Sequence, residues 1–231
     1  MIYTKELAYQ QVEELLKVQS GLYIKAVSDV QIELAGNIYV NCESKGYVVS
    51  DNYPVRIIIP FNSDKLPYVI DEGNRISEDY SHRNDNGSLC LETDASIRVH
   101  FLDGFSLTAW LREYVEPYFF SYEFFRRYGE YPFGERGHGI DGIIETYQEF
   151  FQEEDSGKVI KLMHSICEST YRGHLPCPCG SGEKFRRCHG PVVMKYYTDT
   201  RLKEIVQTDY ILVKDYLVKY YEQYQYYRKT K

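Results

Sequence analysis

Six cysteines are spread unevenly along the chain: Cys42, Cys90 and Cys167 stand alone, while Cys177, Cys179 and Cys188 crowd together with His189 directly behind. The run CPCGSGEKFRRCH over 177–189 offers three thiolates and one imidazole, which meets zinc's preference for four soft or borderline ligands in a tetrahedron. Gly180, Ser181 and Gly182 let the backbone turn tightly around an ion, and Phe185 can plug the small core beneath it. A loop with so little apolar mass should fold together with its metal. With four protein ligands no seat is left for water, so the expected zinc is structural rather than catalytic. In a reducing compartment such a cluster is a metal site before it is a disulfide framework. The neighbouring Lys184, Arg186 and Arg187 read as a solvated face.

A second constellation lies in HRNDNGSLCL, residues 82–91, which brings His82, Asn84 and Cys90 into one short segment. A cysteine here is either a nucleophile or a small buried residue, and Leu89 and Leu91 would point away from it if the segment were extended. Asn84 by itself is a turn residue, and His82 by itself carries little information. His138 stands between Gly137 and Gly139, where bracing a loop is the simpler role and accessory acid–base chemistry the sharper one.

These residues must be held by the elements around them. Residues 4–19 place Leu7, Val12, Leu15, Leu16 and Gln19 near one helical face, with Thr4 as N-cap and Gly21 as stop. VQIELAGNIYV, residues 30–40, alternates apolar and polar residues with a glycine interruption, as a half-buried strand with a bulge or turn. Tyr47 to Val49 and Val55 to Ile59 continue in β fashion, with a turn expected over Asn52 to Pro54, and Tyr68 to Ile70 adds a short apolar piece. A polar loop then runs from Asp71 to Ser88. From Ser106 to Arg127 the spacing of Leu107, Trp110, Leu111, Tyr114, Val115 and Tyr118 predicts a helix, capped by Ser106 or Asp103 and kinked or ended by Pro117. The aromatics Tyr118, Phe119, Phe120, Tyr122, Phe124 and Phe125 read as packing. YPFGERGH is a loop. Helices are expected over Ile140 to Phe151, Lys158 to Tyr171 and Thr200 to Tyr227. The last carries Leu202, Ile205, Val206, Tyr210, Val213, Tyr216 and Leu217 along one side, and its surplus tyrosines, Tyr216 to Tyr227, suit a partner-binding face.

Two resemblances follow from these residues. CPCGSGEKFRRCHG resembles a SEC-C motif in its Cys-x-Cys-Gly-Ser-Gly, Phe and Cys-His positions, and that implies Zn2+ on Cys177, Cys179, Cys188 and His189. The motif is commonly an interaction or targeting element. The order N-terminal helix, strand meander, His-x-Asn loop, Gly-x-x-Cys-Leu and helices resembles the ubiquitin-conjugating (UBC-like) fold over about Thr4 to Phe150. Segments such as GFSLTAWLREYVEPYFFSYEFF resemble its bacterial members. By that resemblance Cys90 accepts an acyl group as a thioester, Asn84 stabilises the oxyanion or braces the loop, and His82 folds the loop. Arg83 stands where the family has proline, and the interval from Asn84 to Cys90 is shorter than its usual one. Bacterial relatives occur in antiphage operons, CBASS among them, where they act on a nucleotidyltransferase (CD-NTase). The implied partners are an activating enzyme, a modifier or a target protein.

The expected class is therefore α+β: a UBC-like antiparallel meander flanked by helices, then a helical region with a small zinc knuckle. Residues 1–155 form the UBC-like domain with its helical extension, and 156–231 hold the SEC-C motif (173–190) and the tyrosine-rich helix. The 231 residues are 43% hydrophobic and 16% aromatic, enough for packed cores. A net charge of −7 argues against a chain built to grip nucleic acid, although Arg172, Lys184, Arg186 and Arg187 form a small basic group. No apolar run is long enough for a bilayer and the N-terminus has no signal core, so a cytoplasmic protein is expected. Beside the transferase stands a non-catalytic adaptor, with an inert Cys90 and with partners bound through the knuckle and the tyrosine helix.

Overall fold

A computed structural model describes residues 4–84 and 86–229, side chains beyond 221 excepted. The fold is α+β. Helix α1, Lys5–Val18, starts where the Thr4 hydroxyl accepts the Leu7 N–H at 3.2 Å, the expected N-cap. It buries Ala8, Val12 and Leu15, while Leu7 is exposed. Four strands follow as an antiparallel meander in the order β1, Leu22–Val27, β2, Gln31–Ser44, β3, Tyr47–Pro60, and β4, Tyr68–Asp71.

The hairpin between β2 and β3 turns at Lys45 and Gly46, not over Asn52 to Pro54. Ser44 pairs with Tyr47, and Lys45 and Gly46 take φ of 51° and 73°, the two left-handed residues of a tight type I′ connection. Asn52, Tyr53 and Pro54 lie inside β3, opposite Tyr39, Ile38 and Asn37. The proline is tolerated because its carbonyl points away from β2, accepting the Glu72 N–H at 3.0 Å. Its nitrogen faces that same side, so the β2 ladder loses no bond. The interruption expected at Gly36 is absent: β2 pairs with β3 without a break through it, and the bulge lies in β1, between Ile24 and Ala26. Gly36 takes a φ of 126°, and a Cβ there would collide with the Gly21 carbonyl just before β1.

Helix α2, Asp94–His100, was not visible as a helix in the sequence pattern. Helix α3, Leu107–Trp110, is capped by the Ser106 hydroxyl on Ala109 N–H at 3.2 Å. It runs through a π-turn, Leu111–Val115, into α4, Glu116–Tyr128. Pro117 does not end the helical run, but the α-helix is interrupted by the π-turn just before it. The Glu116 N–H bonds back to Leu111 O, one residue further than an α-helix would reach, so Pro117 sits in the first turn of a restarted helix. A missing N–H is harmless there. The aromatics of α4 pack as expected, with Tyr53 of β3 stacked on Phe119 at 4.3 Å.

The remaining elements are α5, Ile140–Phe151, α6, Ser156–Glu168, the short α7, Gly190–Val193, and α8, Lys195–Thr198, and the long α9, Thr200–Lys229. The chain divides into two compact units. The first takes the residues up to Asp94 with Asp103–Glu135, and the second takes Ala95–Leu102 with everything from Arg136 on. The first buries Leu34, Ile38 and Val40 of β2, Val55 and Ile57 of β3, and Trp110. The second is cored by Tyr147 and Phe151 of α5, Leu162 and Ile166 of α6, and Leu202, Val206 and Val213 of α9. The buried stripe of α9 stops at Val213, for Tyr216 and Leu217 are exposed, together with Tyr220 and Tyr221. The expected face at Tyr224 to Tyr227 lies outside the described side chains. Among the described residues no helix is long and apolar enough to cross a membrane.

Candidate functional site

The Cys/His cluster is shaped by its backbone before any metal is considered. Phe185 N–H bonds to Leu175 O at 2.8 Å, Cys177 N–H to Glu183 O at 2.7 Å and Arg186 N–H to Gly173 O at 3.0 Å. These tie the two arms of the knuckle together. Gly180 and Gly182 turn the loop in left-handed conformations, at φ 87° and 82°. A 3-10 turn over Phe185–Arg187 then delivers Cys188, and α7 starts directly after His189. At Gly190 a Cβ would come within 2.6 Å of the Phe185 carbonyl oxygen, so the chain needs glycine there to close the knuckle.

The four ligand atoms lie within 4.8 Å of one another. Cys179 Sγ is 3.7 Å from Cys188 Sγ, and His189 Nδ1 is 3.4 Å from Cys177 Sγ and 3.2 Å from Cys188 Sγ. With Zn–S of about 2.3 Å and Zn–N of about 2.0 Å, tetrahedral edges come to about 3.8 Å for S···S and about 3.5 Å for S···N. The donor set and its spacing fit such an ion. Burial pushes the Cys177 thiol up to about 12. Burial opposes the Cys179 thiolate too, but bonds from the Ser181 side chain and backbone, with the Cys177 and Cys188 thiols, bring it down to about 6. The knuckle is also part of the core: Cys177, Cys179, Phe185 and Val193 belong to the apolar cluster of the second unit. Phe185 packs between Tyr171 at 5.0 Å and Tyr197 at 5.9 Å, so it plugs more than the knuckle itself. His189 Nε2 stands 3.1 Å from Glu153 Oε2, a carboxylate from the corner between α5 and α6.

In the first unit, Cys90 follows a loop laced to the sheet. Leu89 N–H bonds to Val69 O at 2.8 Å, and Cys90 N–H bonds to His82 O at 2.9 Å. The Tyr118 hydroxyl donates to the same carbonyl at 2.9 Å. The structure thus brings His82 and Cys90 together: beside the backbone bond, a His82 ring nitrogen lies within 4.8 Å of Cys90 Sγ, and the His82 ring packs against Tyr80 and Tyr131. Asn84 is exposed, and its Nδ2 donates to Ser88 Oγ at 3.0 Å while its N–H bonds to Ser88 O. Cys90 is half-buried between the buried Leu89 and the half-buried Leu91, and burial first, then Glu92, pushes its thiol up. His138 is exposed and belongs to the second unit. Cys42 and Cys167 are half-buried, and burial raises both thiols, Cys167 to about 11.

The site in the second unit is a Cys3His cluster whose spacing suits a bound metal ion. The SEC-C motif family matches the chain over residues 175–191, which spans this knuckle and does not reach Cys90. No solved structure matches the chain.

Proposed function

We propose that the chain is a UBC-like protein that carries an acyl group as a thioester on Cys90, with a structural zinc in its SEC-C knuckle. In this reading Cys90 Sγ attacks the carbonyl of a modifier held by a separate activating enzyme and expels that enzyme's thiol. A target amine then attacks the Cys90 thioester. A bacterial ubiquitin-like pathway, of the CBASS kind with a nucleotidyltransferase target, is the setting the family resemblance suggests. The observation that carries the reading is the placement of Cys90. It is a partly accessible thiol at the end of a loop pinned to β4 and to Tyr118, after a helix and a four-strand meander in UBC-like order. For the knuckle, zinc is favoured by the three thiols, one imidazole and tetrahedral spacing. Bound there, the ion would supply a cross-link between the loop and α7 and leave no open coordination position.

A second reading, an inactive adaptor, is favoured by two features. The Cys90 thiol is pushed up rather than down, and Asn84 is bonded to Ser88. Intact mass of the protein purified with the products of neighbouring genes separates the two. A hydroxylamine-sensitive adduct lost in Cys90→Ala supports the transferase. An unmodified mass, with the activating enzyme and ATP present, supports the adaptor. The zinc reading is checked in the same spectra under native conditions, as a mass increase of one zinc less the protons it displaces.

A further inference from the structure

We propose that Glu153 belongs to the metal centre as a positioning residue, holding the His189 imidazole in the tautomer and orientation that metal binding needs. The proposal rests on the reading that the knuckle binds zinc. His189 turns Nδ1 toward Cys177 Sγ and Cys188 Sγ, at 3.4 and 3.2 Å, so Nδ1 is the ligating nitrogen. A neutral imidazole has one N–H, and ligation through Nδ1 requires it on Nε2. Nε2 is the nitrogen that faces the carboxylate: Glu153 Oε2 lies 3.1 Å from it, within reach of that proton, and both side chains are only 12% exposed. A carboxylate in this place fixes the ring and makes the ligating nitrogen more basic.

Glu153 is itself held. Its Oε1 accepts the Asp155 N–H at 3.0 Å, and Lys158 Nζ lies 3.3 Å from Oε2. The corner that presents it is built by Gln152, which ends α5 in a left-handed conformation at φ 53°, and by Asp155, which caps α6 through Lys158 N–H at 2.9 Å. The carboxylate therefore reaches the knuckle from elements outside the matched motif, residues 175–191. The metal centre of this chain extends into its helical unit, and metal affinity should report the state of the α5–α6 corner.

The test uses the full-length chain and Zn2+ itself, in competition with a chromophoric chelator, for the wild type, Glu153→Gln, Glu153→Ala and Lys158→Met. Long-range 1H–15N spectra of the zinc-loaded wild type identify the ligating nitrogen of His189. The expected result is zinc bound through Nδ1, with affinity lowered roughly 10- to 100-fold in both Glu153 variants at unchanged far-UV circular dichroism. Lys158→Met keeps the carboxylate and should stay within about fivefold of wild type, since the Lys158 ammonium lies at the surface, where an ion pair contributes little. Glu153 variants within about threefold of wild type, or ligation through Nε2, would overturn the proposal, because second-sphere partners should cost more than that. So would an equal loss in Lys158→Met, which would mean that corner stability alone is being measured. A wild type that takes up no zinc removes the metal reading and this proposal with it, and that outcome is distinct from a zinc-binding wild type with silent Glu153 variants.

Discussion

Phe185→Ala should weaken metal binding although Phe185 touches no metal. The ring is 3% exposed and contacts Tyr171 and Tyr197, and its backbone N–H holds the knuckle arms together through Leu175 O. Truncating a buried Phe costs about 3–5 kcal/mol. The substitution spares every ligand and the Leu175 bond, so the cost falls on the folded knuckle. A metal that binds only the folded form has its apparent dissociation constant divided by the competent fraction. If the metal-free knuckle is unfolded, the whole cost enters the affinity, a loss of roughly 150- to 5,000-fold at 1.36 kcal/mol per decade. If it is folded without metal, the same cost appears as a melting temperature of the second unit lower by at least about 10 °C, for a unit of this size. Chelator competition and calorimetry with and without EDTA measure both quantities. A variant matching the wild type in zinc affinity and in melting temperature would refute the view that knuckle and helical core are one cooperative structure.

Zinc uptake should release protons and weaken on acidification. Burial keeps the Cys177 thiol up at about 12, so at neutral pH it is protonated without metal and must lose that proton to bind. Affinity should therefore fall by about tenfold per pH unit lost for this ligand alone, measured by titration calorimetry in buffers of different ionisation enthalpy. Cys179, held below the usual thiol range by its bonds to Ser181 and to the neighbouring thiols, should steepen the loss only at more acidic pH. Alkylation of Cys90 by iodoacetamide should be slower at pH 7 than that of a free thiol and rise with pH, because burial and Glu92 raise the thiol. Glu92→Gln should speed it, and peptide mass mapping gives the rate. Gly36→Ala should destabilise the first unit by about 2 kcal/mol or more in denaturant unfolding, from the φ of 126° and the collision with the Gly21 carbonyl.

What the sequence made legible was whatever depends on neighbours in the chain. Thr4 as a cap, the bounds of α5 at Ile140 and Phe151, and the clustering of Cys177, Cys179, Cys188 and His189 are set by contacts or spacings within a few residues. The misplaced turn shows where local reading stops. Asn52, Tyr53 and Pro54 carry stronger turn chemistry than Ser44 to Tyr47, yet whether a proline breaks a strand depends on which side its nitrogen faces, and only the partner strands decide that. Helix α2 spans two turns, too short for a period to emerge. On α9 the apolar stripe was carried past Val213 to Tyr216 and Leu217, but burial needs a partner. At 1.5 Å per residue, the 13 residues of α6 span about 20 Å and the 30 of α9 about 45 Å, so α9 outruns the helix it packs on. Glu153 is the extreme case. Nothing around it in sequence marks it, since its role exists only because the α5–α6 corner meets His189 in space. Ligands can be read from their spacing because metal geometry constrains short loops. The groups that orient those ligands come from wherever the fold delivers them, so they become visible only once the fold is known.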